Sequence, residues 1–186
     1  AASGQHLQLT NHASDDCWSF YRDVAIDKTG ALIALPLQFA TLLEQGQCSK
    51  VAAALGCGEQ LGLAYQIIND LKPFAAPSDL VGHEDFVNRT ITAPIAACNA
   101  LFPGADPFQI LIRRPEKRQQ AVQLCQRWLN EALLQARHNA ALLPEHSKIV
   151  VETFIQQQLL PTAAAEPPAR TFTPWPQSQT SRIEAV

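Results

Sequence analysis

Residues 48–72 read CSKVAAALGCGEQLGLAYQIINDLK, and no other stretch limits the possible folds as tightly. Leu61, Ala64, Ile68 and Leu71 recur at the spacing of one helical face, so the run is a long helix with a core side. Gly56, Gly58 and Gly62 leave room for neighbouring backbones to come close. Pro73 lacks an amide donor and disfavours helix in the residue before it, so the helix ends near Lys72. Gln66, Asn69 and Asp70 fall at i, i+3 and i+4 and share a face at its C-terminal mouth. On the residues alone this is an ordinary end of a helix, where polar side chains satisfy the last turn before a proline.

The remainder of the chain agrees with an all-α fold. Ala, Leu and Gln dominate, and neither Asn-Gly hairpins nor long alternating β-branched runs occur. With 186 residues, 47% of them hydrophobic and 17% charged, the chain can bury a core of its own. A net charge of −3 excludes a general attraction for nucleic acid. The best membrane candidate, ALIALPLQFATLL at 31–43, falls short of the roughly 18 apolar residues a span needs and is interrupted by Pro36 and Gln38. Five cysteines without a CxxC pair argue against zinc or a disulfide framework and for a reducing, cytoplasmic setting.

The expected order is a short helix at 1–10, one from Asp15–Asp16 towards Lys28, and one at 30–45 that stands apart or continues it. The 48–72 helix and a loop follow. Further helices are expected at 93–102, at 116–142 behind Pro115, and at 146–160. Ala121, Cys125, Trp128, Ala132 and Ala136 mark the core stripe of the 116–142 helix. Residues 1–160 form the helical domain, and the Pro-rich segment 161–186 is extended or disordered. The basic run Arg113, Arg114, Lys117 and Arg118 reads as a solvated helix start, and His83-Glu84-Asp85 as loop.

Four segments, in order, resemble the trans-isoprenyl diphosphate synthases of the polyprenyl synthetase family. They are GQHLQL at 4–9, YRDVAIDKTGALIALPL at 21–37, LGLAYQIINDL at 61–71 and DFVNRTITAP at 85–94. The resemblance implies the C-terminal half of an isoprenoid synthase-type helical bundle. It implies prenyl transfer from an allylic diphosphate, with isopentenyl diphosphate as the second substrate and Mg²⁺ as cofactor. Lys28 and Gln66 then contact diphosphate, with Thr29 beside them in the catalytic set, and Asn69 and Asp70 fall at the metal-binding motif. A dimer is implied as well.

The chain also departs from the family's pattern. The second Asp-rich motif appears as Asn69-Asp70-Leu71-Lys72-Pro73, with one carboxylate where the family has three. Such a site holds Mg²⁺ weakly unless substrate phosphates and water complete the shell. Thr90 stands in place of a lysine, and Gln8 in place of an acid. Asp15–Asp16 only echoes the first Asp-rich motif, because the family places that motif before the Gly-Gln segment. The chain is therefore expected to start partway through a longer protein, with an apolar face that packs on further helices. A terpene cyclase-like enzyme and a catalytically silent partner subunit of a synthase are the alternative readings.

Overall fold

A long central helix carries the architecture of the computed structural model, which describes residues 16–44, 47–75, 80 and 82–160. The expectations for 1–10 and for the Pro-rich segment 161–186 lie outside these residues. The helices are α1 (Cys17–Ala25), α2 (Ala31–Leu43), α3 (Cys48–Leu71), α4 (Glu84–Val87), α5 (Ala93–Leu101), α6 (Pro107–Arg113), α7 (Pro115–Ala140) and α8 (Glu145–Phe154). Among the described residues there is no strand. The central helix α3 is buried between α7 on one side and α2 on the other. Its buried residues include Ala54, Cys57, Leu61, Ala64, Ile67 and Ile68, so apolar side chains surround it rather than forming a stripe.

Several ends are fixed by side chains whose chemistry suits the position. Asp16 caps α1, its two carboxylate oxygens accepting from the Ser19 amide at 3.0 Å and hydroxyl at 2.6 Å. The acid that echoes a metal motif is thus tied up in starting a helix. Helix α6 is an addition to the expected order. Its start is nonetheless written in the sequence, where Asp106 accepts from the Phe108 amide at 3.0 Å and Pro107 takes the first helical position. Trp128 is only half-buried, and its ring stacks on Trp18 with centroids 3.8 Å apart, joining α7 to α1. The α7 core stripe runs instead through Ala121, Cys125, Leu129, Ala132 and Ala136.

Helices α1 and α2 form one rod, joined by a π turn at Ile26–Gly30. A π turn takes up one extra residue and rotates everything beyond it by about 100°. Tyr21, Val24 and Ala25 face the core before it, and Gly30, Ala34, Leu37 and Thr41 after it. The unshifted spacing from Tyr21 leads on to Leu32, Leu35 and Phe39, which the structure leaves 65%, 70% and 62% exposed. The joined rod, Cys17–Leu43, is 27 residues and is long and apolar enough to cross a membrane by length and composition, unlike segment 31–43 alone. In the bundle its inner face is packed directly on α3. A Cβ on Gly62 would lie 2.3 Å from the Gly30 nitrogen, and one on Gly58 would lie 2.3 Å from the Ala34 Cα. Glycine is required at both places because backbone meets backbone.

Candidate diphosphate site

The π turn and the C-terminal turns of α3 meet at a small polar cavity of about 100 Å³. Lys28, Gln66 and Asp70 line it together, as the resemblance implies, with Tyr21, Asp85 and Thr90 completing the polar wall. Tyr21 and Lys28 are seven residues apart and lie on one helical face. Among the described residues no acid comes within ion-pair distance of the Lys28 ammonium. Thr29 lies behind the wall, its hydroxyl donating to Gln66 Oε1 at 3.3 Å. Gln66 Nε2 donates to Asp70 Oδ1 at 3.0 Å, and the Ala93 amide donates to Asp70 Oδ2 at 3.0 Å. A continuous chain of hydrogen bonds therefore runs from the π turn to the first turn of α5. Asn69 is not part of this wall: its Oδ1 accepts from Lys72 Nζ at 2.7 Å on the exposed side.

Two wall residues are missing from the set that the sequence points to. Asp85 reads as loop in the sequence, yet α4 brings its carboxylate to the cavity, with His83 Nδ1 at 3.4 Å from it. Tyr21 stands out in the sequence only as part of a motif. It is 4% exposed, and its hydroxyl lies beside Asp70 without the alignment of a hydrogen bond. Thr90 is held to the wall by its neighbour. Arg89 has φ 51°, a left-handed conformation uncommon for a non-glycine residue. The Arg89 guanidinium pairs with Asp106 at 3.2 Å and stacks 4.3 Å from the Phe108 ring centroid, which fixes the turn.

Burial pushes the Asp70 carboxyl up from 3.8 to about 6, against the hydrogen bonds from Ala93 and Gln66 and the nearby Tyr21 hydroxyl, and Asp85 adds to the rise. A carboxyl with a raised folded pKa favours folding most when protonated. Its contribution is complete below 3.8 and is lost as pH rises through about 6. The difference corresponds to about 3 kcal/mol. Urea unfolding at about pH 4 and pH 7 should show the natural chain losing stability relative to Asp70→Asn across that window. Parallel curves for the two proteins would contradict it.

The arrangement does not fit a resident Mg²⁺. That ion asks for near-octahedral oxygen ligands, often one or two carboxylates completed by phosphate and water. Both oxygens of Asp70 already accept protein hydrogen bonds, and Asn69 is turned towards Lys72. Among the described residues no three His, Cys, Asp or Glu side chains gather at one point. The cation on this wall is the Lys28 ammonium, which shares the recess with the Thr90 hydroxyl and the carboxyls of Asp70 and Asp85.

One turn beyond Lys28 the surroundings become apolar. A groove of about 480 Å³ runs between α2 and α8, lined by Ile33, Pro36, Leu37, Leu61, Val151 and Phe154 among others. Ser147 and Glu44 also line it, the Ser147 hydroxyl donating to Glu44 Oε1 at 2.8 Å. The basic run lies elsewhere, and two of its residues are engaged within the protein. Arg118 donates to the Leu111 carbonyl at 3.0 Å, and Lys117 lies over the Phe102 ring.

Known proteins share this architecture. A decaprenyl diphosphate synthase from Rhodobacter capsulatus superposes with a TM-score of 0.64 at 22% identity, covering 83% of this chain and 54% of that one. A polyprenyl synthase from Roseobacter denitrificans gives 0.55 at 26% identity, covering 83% and 57%. A prenyl transferase from Synechocystis sp. is 29% identical over 106 residues, which is 55% of this chain and 33% of that protein. The chain thus spans one third of this curated relative and just over half of the solved chains. The fold is the isoprenoid synthase-type helical bundle. The pattern that defines the Polyprenyl synthetase family matches residues 1–132, and the chain belongs to that family.

Proposed function

We propose that this chain supplies the diphosphate-gripping wall of a prenyl-transfer site in isoprenoid biosynthesis. The carrying observation is the Lys28 ammonium on the wall of a polar recess, with a separate apolar groove that begins at Leu32, one helical turn further along the same rod. An allylic diphosphate has the matching halves, an anionic head and a hydrocarbon tail. When its C–O bond breaks, the electron pair leaves with diphosphate, and a fixed cation near those oxygens stabilises the charge as it develops. The double bond of isopentenyl diphosphate then attacks the allylic cation, and loss of a proton restores neutrality. In this reading Lys28 and Gln66 contact diphosphate, and Thr29 fixes Gln66 from behind. Mg²⁺, if bound by carboxylates from outside the described residues, would supply further charge neutralisation. The exposed face of Leu32, Leu35 and Phe39 packs on further helices, from the length of the relatives that this chain does not span or from a second copy. Five free cysteines suit a cytoplasmic setting.

Calorimetric titration with geranyl diphosphate should show saturable binding that inorganic pyrophosphate displaces. Absence of binding, or binding that pyrophosphate leaves untouched, overturns the reading. A catalytically silent partner subunit is the second reading. It is favoured by the engagement of both Asp70 oxygens within the protein, and it expects the same binding with no prenylated product when an active synthase is absent.

A further inference from the structure

We propose that Asp70, the one acid left in the eroded motif, is a positioning residue: it sets the polarity of the hydrogen-bond chain behind the diphosphate wall and holds no cation. This goes beyond the functional reading and does not need it to be true. An ionised carboxylate only accepts, so Gln66 must turn its amide nitrogen towards Asp70. The Gln66 oxygen then faces Thr29, and the Thr29 hydroxyl must donate. On its other side Asp70 takes the Ala93 amide, one of the unpaired donors in the first turn of α5. Thr92, the residue that precedes this helix, makes no side-chain capping bond of its own. The cap therefore comes from α3, across 23 positions of sequence, and negative charge there also suits the helix dipole. One buried carboxylate thereby ties three elements: the π turn through Gln66, the end of α3, and the start of α5.

Asparagine can replace that function if the chain of bonds reverses. In Asp70→Asn the remaining side-chain oxygen would keep the Ala93 amide, and the new amide nitrogen would donate to Gln66 after a flip of the Gln66 side chain. Gln66 would then donate to Thr29, whose hydroxyl accepts as readily as it donates. Alanine has no such solution and leaves the Ala93 amide buried and unpaired. A cation ligand behaves differently, since asparagine and alanine both remove the negative charge the ion needs.

The test compares the natural chain, Asp70→Asn and Asp70→Ala by hydrogen–deuterium exchange at Ala93, by thermal midpoint, and by calorimetry with MgCl₂ alone and with inorganic pyrophosphate. Asp70→Asn should keep the Ala93 protection of the natural chain, and its pyrophosphate affinity should not fall below that of the natural chain. Asp70→Ala should lose each by about tenfold, in line with an unpaired buried amide. MgCl₂ alone should give no heat that depends on residue 70. If Asp70→Ala does not fold, Asp70→Asn with intact protection and unchanged MgCl₂ behaviour still supports the assignment. Asparagine as damaging as alanine overturns it, as does binding of MgCl₂ that falls about tenfold in Asp70→Asn. A natural chain that binds no pyrophosphate refutes the diphosphate reading alone, and Ala93 protection still decides the role of Asp70.

Discussion

Gly62→Ala should destabilise the protein by about 3 kcal/mol or more, the upper part of the range for overpacking a core. The added methyl would sit 2.3 Å from the Gly30 nitrogen, 2.4 Å from its Cα and 2.8 Å from the Thr29 carbonyl carbon. All three are backbone atoms, so no side-chain rotation can make room. Relief requires α3 to move away from the π turn, which also separates Gln66 from Thr29. Gly56→Ala is the control. Its methyl meets only the end of the Asn139 side chain at 3.0 Å, which can swing aside. Alanine is the better helix former by nearly 1 kcal/mol, so that variant should lie within about 1 kcal/mol of the natural chain. Urea unfolding of both variants gives the comparison. Equal stabilities for the two would show that the contact of the rod with α3 is looser than the structure has it.

Lys28→Ala should weaken binding of inorganic pyrophosphate by about 2–4 kcal/mol, or roughly 30- to 1000-fold. The size follows from the setting. The ammonium lines a small recess whose other polar groups include two acids, so it is the main source of positive charge there. Stability should not follow affinity. Lys28 makes no ion pair among the described residues, and alanine is a good helix former. Calorimetry beside a thermal melt separates the two effects. Unchanged affinity would return Lys28 to the role of an ordinary surface lysine.

Much of the helical frame was legible because it depends on local rules. The period of 61–71, the stop at Pro73 and the start at Pro115 each follow from neighbouring residues, and each is found within a residue or two. The start of α6 at Asp106-Pro107 is equally local, though the expected order passes over it. The convergence of Lys28, Gln66 and Asp70 came from resemblance, since 38 to 42 residues separate the lysine from the other two. What escaped was non-local. Nothing in IDKTG announces a π turn, because the extra residue is accommodated by the contact of Gly30 with Gly62 rather than by local preference. The roles of Tyr21 and Asp85 depend on how α1 and α4 are placed. Asn69 shows the opposite limit: the resemblance sets it at the motif, and its side chain is drawn away by its neighbour Lys72.

The π turn also decides how this stretch answers a change in chain length. Helical insertions commonly slide the residues beyond them along a face, but here one residue separates two alternative allocations of inside and outside. Losing one residue between Ile26 and Gly30 would let a regular α-helix keep the present buried face, whereas rewinding the turn with every residue kept would carry Leu32, Leu35 and Phe39 towards α3. Those bulky side chains would arrive where Gly58 and Gly62 have left space for backbone only. Regularising this turn at constant length is therefore equivalent to rewriting the buried face of the next thirteen residues at once, and a single-codon deletion is the change that avoids it. Comparison of this segment with shorter or longer homologous segments has to count helical phase from both ends and let the discrepancy fall at Lys28.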